Sequence, residues 1–155
     1  MSAQDIELEF PKLRAEGYTI TSADTTDYNC FAWVVHDTDH WYSPLPINGY
    51  YWPENIPRNT GLQTFIQLYN REGDFIPCKD GSLERGFEKI ALYMNAAGGI
   101  THAARQQPTG VWTSKLGVKE DIEHVRLTGL EDDGVKVDDY GKVVQFLKRP
   151  APNNG

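Results

Sequence analysis

A change of hydrophobic period partway along the chain is the strongest constraint on what it can fold into. Leu62, Phe65, Ile66 and Tyr69 fall at i, i+3, i+4 and i+7, the spacing of one helix face. Asn59 or Thr60 can cap this helix and Gly73 is a natural stop. Past Gly73 the period changes. Residues 89–95, with Ile90, Leu92 and Met94, read as a strand, 99–107 as a second, 111–116 as a third and 140–147 as a last. Residues 121–130 are weakly helical, and Gly98-Gly99 reads as a hairpin turn. The order is helices first and an antiparallel sheet after, which defines an α+β domain with N-terminal helices packed on the sheet.

The first half is less regular. Pro11 interrupts any helix in the first 17 residues, and 18–23 alternates enough for a short strand. Residues 22–27, Ser-Ala-Asp-Thr-Thr-Asp, carry side chains that bond nearby backbone and so favour a turn and a helix cap. A helix from Tyr28 or Asn29 to about Val35 is predicted, with Cys30 in its first turn. Residues 36–59 form a long loop rich in proline and aromatic residues, of the kind that serves a function or covers something.

With 155 residues there is room for one core, so 1–150 is expected to be a single domain and 151–155 a frayed tail. The net charge of −7 argues against non-specific nucleic-acid binding. No cationic start is followed by an apolar run, so neither a secretory signal nor a membrane span is expected, and the default address is cytoplasmic. Cys30 and Cys78 do not make a disulfide framework. Cys78, between Pro77 and Lys79, has neither a cap nor a base nearby.

Cys30 is the candidate nucleophile. A thiol attacks as the thiolate, which a helix start and a nearby imidazolium both stabilise. Its base would be His102, in a strand whose flanking residues are small. The ordinary role of a cysteine before Phe-Ala-Trp is a small buried hydrophobe. If Pro108, Thr109 and Gly110 form a three-residue hairpin loop, Gln107 pairs with Val111, His102 faces Leu116, and Ser114 lies diagonally on the face of His102. A slip of one residue would put Thr113 and Lys115 there instead. Ser114 is therefore the first choice to orient the imidazole and His124 its rival, a surface or capping role being the plain reading of His124. A Ser114–Lys115 dyad is disfavoured because adjacent strand residues point to opposite faces.

Asn29, Trp52 and Gln106 are the candidates for holding an oxyanion or substrate, with helix capping the plainer role of Asn29. Trp33, Trp41, Tyr50, Tyr51 and Trp52 line either a groove or a satellite core. His36 and His40 would share a face on a helix and could bind zinc with a carboxylate. The helix ends before both and no third histidine or cysteine is close, so a solvated turn is expected, with neither metal nor cofactor. The acidic runs at 131–133 and 138–139 read as solvated turns.

Tyr28-Asn29-Cys30-Phe31-Ala32-Trp33, Tyr51-Trp52-Pro53, Thr101-His102-Ala103-Ala104-Arg105-Gln106, Trp112-Thr113-Ser114-Lys115-Leu116-Gly117 and Ile122-Glu123-His124 together resemble an uncharacterised family of short bacterial proteins. That resemblance covers about residues 18–150. More distantly, cysteine on a helix, then histidine at a strand, then a polar residue on the next strand resembles the NlpC-like and amidase branches of the papain-like superfamily. This resemblance implies thiol acyl chemistry on a peptide or amide substrate, with Cys30 and His102 as the reactive pair. The alternative it leaves is a papain-like module without catalysis that binds a protein partner.

Overall fold

The computed structural model describes residues 3–136 and 138–151. Two short helices, α1 (Ala3–Glu9) and α2 (Lys12–Glu16), are separated at Pro11, which stands at the N-cap of the second. Then come β1 (Tyr18–Ile20), the one-turn helix α3 (Cys30–Trp33), β2 (Trp41–Tyr42), β3 (Tyr50–Tyr51) and α4 (Leu62–Gly73). The strands β4 (Ile76–Cys78), β5 (Phe87–Met94), β6 (Ile100–Gln106), β7 (Trp112–Lys115) and β8 (Asp121–His124) follow. A 3-10 turn at Leu127–Leu130 leads to β9 (Lys142–Pro150).

Seven strands form one antiparallel sheet in the order β1-β8-β7-β6-β5-β9-β4, and β2 and β3 make a separate parallel pair. The central strands β5 to β8 are buried on both faces, and alternation sends successive side chains into two separate cores. One face carries Ile90, Leu92 and Ala103, packed with Ala32 and Val34 around α3 and with Phe65, Leu68 and Tyr69 of α4. The other carries Ala91, Tyr93, Ala104, Trp112 and Ile122, packed on Ile6 of α1 and Leu13 of α2. Each fully buried side chain of this size contributes roughly 2 kcal/mol from area removed from water.

The α+β order of the sequence is thus present, with differences that have physical causes. The expected helix at 121–130 is instead β8 followed by the 3-10 turn, because Ile122 and His124 both point inward at a period of two and β8 is sandwiched between β1 and β7. Helix α3 has four residues where seven or eight were expected: the chain turns at Val34, and His36 takes a positive φ of 66°. Strand β4 was not foreseen, since Pro77 cannot join a central ladder; it lies at the sheet edge, where proline is tolerated. The last strand runs to Pro150, and the Ala151 amide donates to the Gly86 carbonyl at 2.8 Å. The rest of the expected tail, 152–155, lies outside the described residues. Among the described residues no helix is long and apolar enough to cross a membrane.

Candidate functional site

The β6–β7 hairpin sets the geometry. Gly110 has φ of 94°, a conformation glycine takes without steric cost, and its amide donates to the Gln107 carbonyl at 2.8 Å. The Gln107 amide in turn donates to the Val111 carbonyl at 2.7 Å, and Arg105 pairs with Thr113. This is the register in which Ser114 shares the face of His102. The His102 Nε2 and Ser114 Oγ are 2.9 Å apart. Strand β8 brings the rival to the same hydroxyl: Ser114 Oγ lies 2.8 Å from the His124 Nε2. His124 Nδ1 reaches the Arg126 carbonyl oxygen at 3.1 Å. First choice and rival are therefore joined in one buried chain.

The protons in this chain are fixed by chemistry. A carbonyl only accepts, so His124 carries its hydrogen on Nδ1 and donates to Arg126. Burial pushes the pKa of His124 down to about 4, so it is neutral near pH 7 and its Nε2 is a bare acceptor. The Ser114 hydroxyl donates to that nitrogen, leaving its oxygen to accept the Nε2–H of His102. Burial, with a smaller contribution from His124, holds the pKa of His102 well below its ordinary value. His102 is then neutral, and its Nδ1 is an unprotonated lone pair. That atom is buried and has no hydrogen-bond partner. The ring is held flat against Tyr140, with centroids 4.2 Å apart and planes 8° apart, and edge-on to Tyr93. Asp132 holds the loop that delivers Tyr140 by accepting the amides of Gly134, Tyr140 and Gly141.

Cys30 is buried at the first residue of α3. Alternation puts Ala103 toward α3 and His102 toward Tyr93 and Tyr140, so the thiol approaches β6 beside the Ala103 backbone rather than over the imidazole. No hydrogen bond joins Cys30 to His102. Desolvation pushes the Cys30 thiol up to about 12, opposed first by backbone hydrogen bonding from Ala103 and then by the charge of Lys115. A one-turn helix has little macrodipole, so the helix-start argument from sequence contributes little here. Burial is the main reason the Tyr140 phenol, stacked on His102, is held well above its ordinary pKa, with a smaller contribution from Cys30.

The three residues proposed to hold an oxyanion or substrate are otherwise engaged. Asn29 caps α3: its Oδ1 accepts the amides of Ala32 at 3.2 Å and Tyr42 at 3.1 Å, and its Nδ2 donates to the Tyr42 carbonyl at 2.7 Å. Trp52 is buried edge-on against Phe65 and donates its indole N–H to the Pro57 carbonyl at 3.1 Å, a core role. Gln106 donates to the Gly81 carbonyl at 2.8 Å and anchors the 79–86 loop. His36 and His40 go to different carboxylates, Glu88 at 2.6 Å and Asp37 at 2.8 Å. Asp132, Asp133 and Asp139 have carboxylate oxygens within 4.8 Å of one another.

Sequence reasoning set Lys115 aside. Its side chain is wholly buried, and its ammonium donates to the carbonyls of Thr25 at 2.9 Å, Lys119 at 2.6 Å and Gly117. A lysine three residues beyond a buried aromatic strand position, followed by a Leu-Gly turn, was the available signal.

The fold and site define an α+β domain in which a buried cysteine, at a one-turn helix, adjoins a sheet carrying a His–Ser–His chain. The chain belongs to the family described as a domain of unknown function (DUF7689), whose model matches residues 19–148 and so includes all of these groups. No curated protein and no solved structure matches it.

Proposed function

We propose that this domain is a thiol hydrolase or acyltransferase acting on an amide or peptide bond, with Cys30 as nucleophile, His102 as base and Ser114 as the group that orients the base. The observation that carries the reading is the His102 Nδ1, buried and without a hydrogen-bond partner; with the Nε2–H given to Ser114 that atom is a bare lone pair. A buried acceptor without a partner costs about 1–3 kcal/mol, and such atoms call for an explanation. A proton-accepting role supplies one. The order of Cys30, His102 and Ser114 on helix, strand and next strand resembles that of the papain-like hydrolases.

In the reaction Cys30, which packs on the sheet face opposite His102, is first brought to the imidazole side of β6; its S–H proton then passes to His102 Nδ1 and the sulfur attacks the substrate carbonyl. Collapse of the tetrahedral adduct breaks the C–N bond, and the imidazolium gives its proton to the departing amine. Water or a second amine, deprotonated by His102, then releases the acyl group from sulfur. On this reading the buried Cys30 corresponds to a closed, resting form of the site. Access requires movement of the segment holding Tyr42, which is tied to Asn29 immediately before Cys30. A small peptide or amide is the substrate class the resemblance implies, and a cytoplasmic location fits the sequence.

A specific observation favours a second reading, a catalytically silent module that binds a protein partner: Cys30 is buried and its thiol is pushed up to about 12. Iodoacetamide labelling across pH, read by mass spectrometry at Cys30 and Cys78 separately, decides between them. The hydrolase reading expects Cys30 to label faster than Cys78 at neutral pH and to lose that advantage in His102→Ala. Cys30 inert until the protein unfolds would overturn it in favour of the binding module.

A further inference from the structure

We propose that Lys115 is a positioning residue of the thiol site: its buried ammonium ties the segment entering Cys30 to the β7–β8 hairpin and supplies the positive charge that stabilises the Cys30 thiolate. The inference rests on the hydrolase reading.

Lys115 lies on β7 next to Ser114, so by alternation it projects from the sheet face opposite the His102–Ser114–His124 chain. That is the face α3 packs on, as Trp33 of α3 shows by donating to the Thr113 hydroxyl at 3.0 Å. The ammonium bonds the Thr25 carbonyl, five residues before Cys30, and two carbonyls of the turn leading to β8. It also sits 5.3 Å from the centre of the Tyr28 ring, two residues before Cys30. The lysine thereby fixes the chain into α3 at two points. Four-residue α3 has too few aligned peptides to stabilise an anion at its start, which leaves a charge from elsewhere to do so.

The groups that set the charge around Cys30 come from every element that packs there. Lys115 attracts a thiolate, while Tyr69 of α4 and Tyr140 of the loop before β9 are neutral phenols near neutral pH. His102 on β6 is neutral in the resting form. Asp121 on β8 faces Lys115 and accepts the Tyr28 hydroxyl at 2.6 Å on one oxygen, while its other oxygen is buried without a partner. Lys115 is thus the cation placed to act on the thiol, and Asp121, with smaller contributions from Asp24 and Glu120, partly offsets it.

The test measures the iodoacetamide rate at Cys30 against pH in wild type, Lys115→Met, Lys115→Arg and Asp121→Asn, with thiolate absorbance near 240 nm as a second readout. In Lys115→Met the rate at neutral pH is expected to fall about tenfold and its midpoint to move to higher pH, with Lys115→Arg recovering part of the loss. A purely structural clamp would leave the midpoint of the folded variant where it was, and that outcome overturns the inference. Should Lys115→Met not fold, Asp121→Asn carries the test. Removing the offsetting carboxylate is expected to raise the Cys30 rate several-fold, and an unchanged or lower rate overturns the inference. Wild-type Cys30 no faster than Cys78 overturns the hydrolase reading beneath it, which separates the two failures.

Discussion

Acid should weaken this fold well above the pH at which carboxylates protonate, and His124 allows the effect to be sized. Its folded pKa of about 4 lies below the ordinary histidine value of 6.5, so the unfolded chain binds the proton more readily. Stability is therefore whole above the unfolded pKa and falls as the pH drops from there toward the folded value. Between about pH 7.5 and pH 5 the loss from this one group is about 2 kcal/mol. His102, shifted the same way, adds to it. Urea unfolding at the two pH values measures the difference directly. His124→Gln would be less stable at both, because the bonds to Ser114 and Arg126 are disturbed, but its change with pH should be smaller than the wild type's by about 2 kcal/mol. Parallel pH dependences for the two proteins would refute the reasoning, since they would mean that His124 is not held neutral by burial.

Ser114→Ala should leave two imidazole nitrogens facing an apolar methyl, costing about 2–4 kcal/mol in urea or thermal unfolding, and the nitrogen NMR shifts of His102 should then show loss of the Nδ1-bare tautomer. Asn29→Ala removes a helix cap and the tether to Tyr42 together, so a loss of about 2–3 kcal/mol is expected, with faster labelling of Cys30 as the covering segment loosens. Alanine at Gly141, where φ is 82° and a Cβ would collide with the Met94 carbonyl, should cost more than about 3 kcal/mol and release Tyr140 from His102, seen as lost near-ultraviolet dichroism.

The parts of this site that were legible in the sequence are those governed by local rules. A proline-threonine-glycine turn fixes the β6–β7 register, and register with alternation puts Ser114 beside His102. The contact of both with His124 was open as two alternatives because it depends on how β8 pairs, and β8 is too short to show its period within residues 121–130. The one-turn length of α3 was hidden for a tertiary reason: Arg105 on β6 donates to the Trp33 carbonyl at 2.8 Å and stacks over the Trp33 ring, closing the helix from across the sheet. Trp52 looked like a groove residue because an aromatic loop has the same composition whether it lines a cleft or fills a core. Lys115 was discarded by a correct argument about Ser114, that the two face opposite ways. The same argument, carried one step further, puts the lysine on the side of α3.

The direction of the hydrogen bonds in the His–Ser–His chain limits what this site can be. The Arg126 carbonyl cannot donate, so a neutral chain has one polarity, and every proton points from His102 toward Arg126. Whatever meets His102 Nδ1 must therefore bring a hydrogen. Tyr140 and Tyr93 present ring faces and edges to the imidazole, and the Tyr93 hydroxyl is already given to the Leu127 carbonyl at 2.7 Å. A chain of this polarity serving only as filling would leave Nδ1 as a permanent loss, where an apolar side chain of similar volume would have none. The same polarity is useful if a thiol approaches: the proton arrives at Nδ1, and the positive charge it creates is next to a serine oxygen already accepting from the opposite nitrogen. On the proposed mechanism His124 and Arg126 act at a distance from the reacting atoms by deciding which nitrogen of His102 is free.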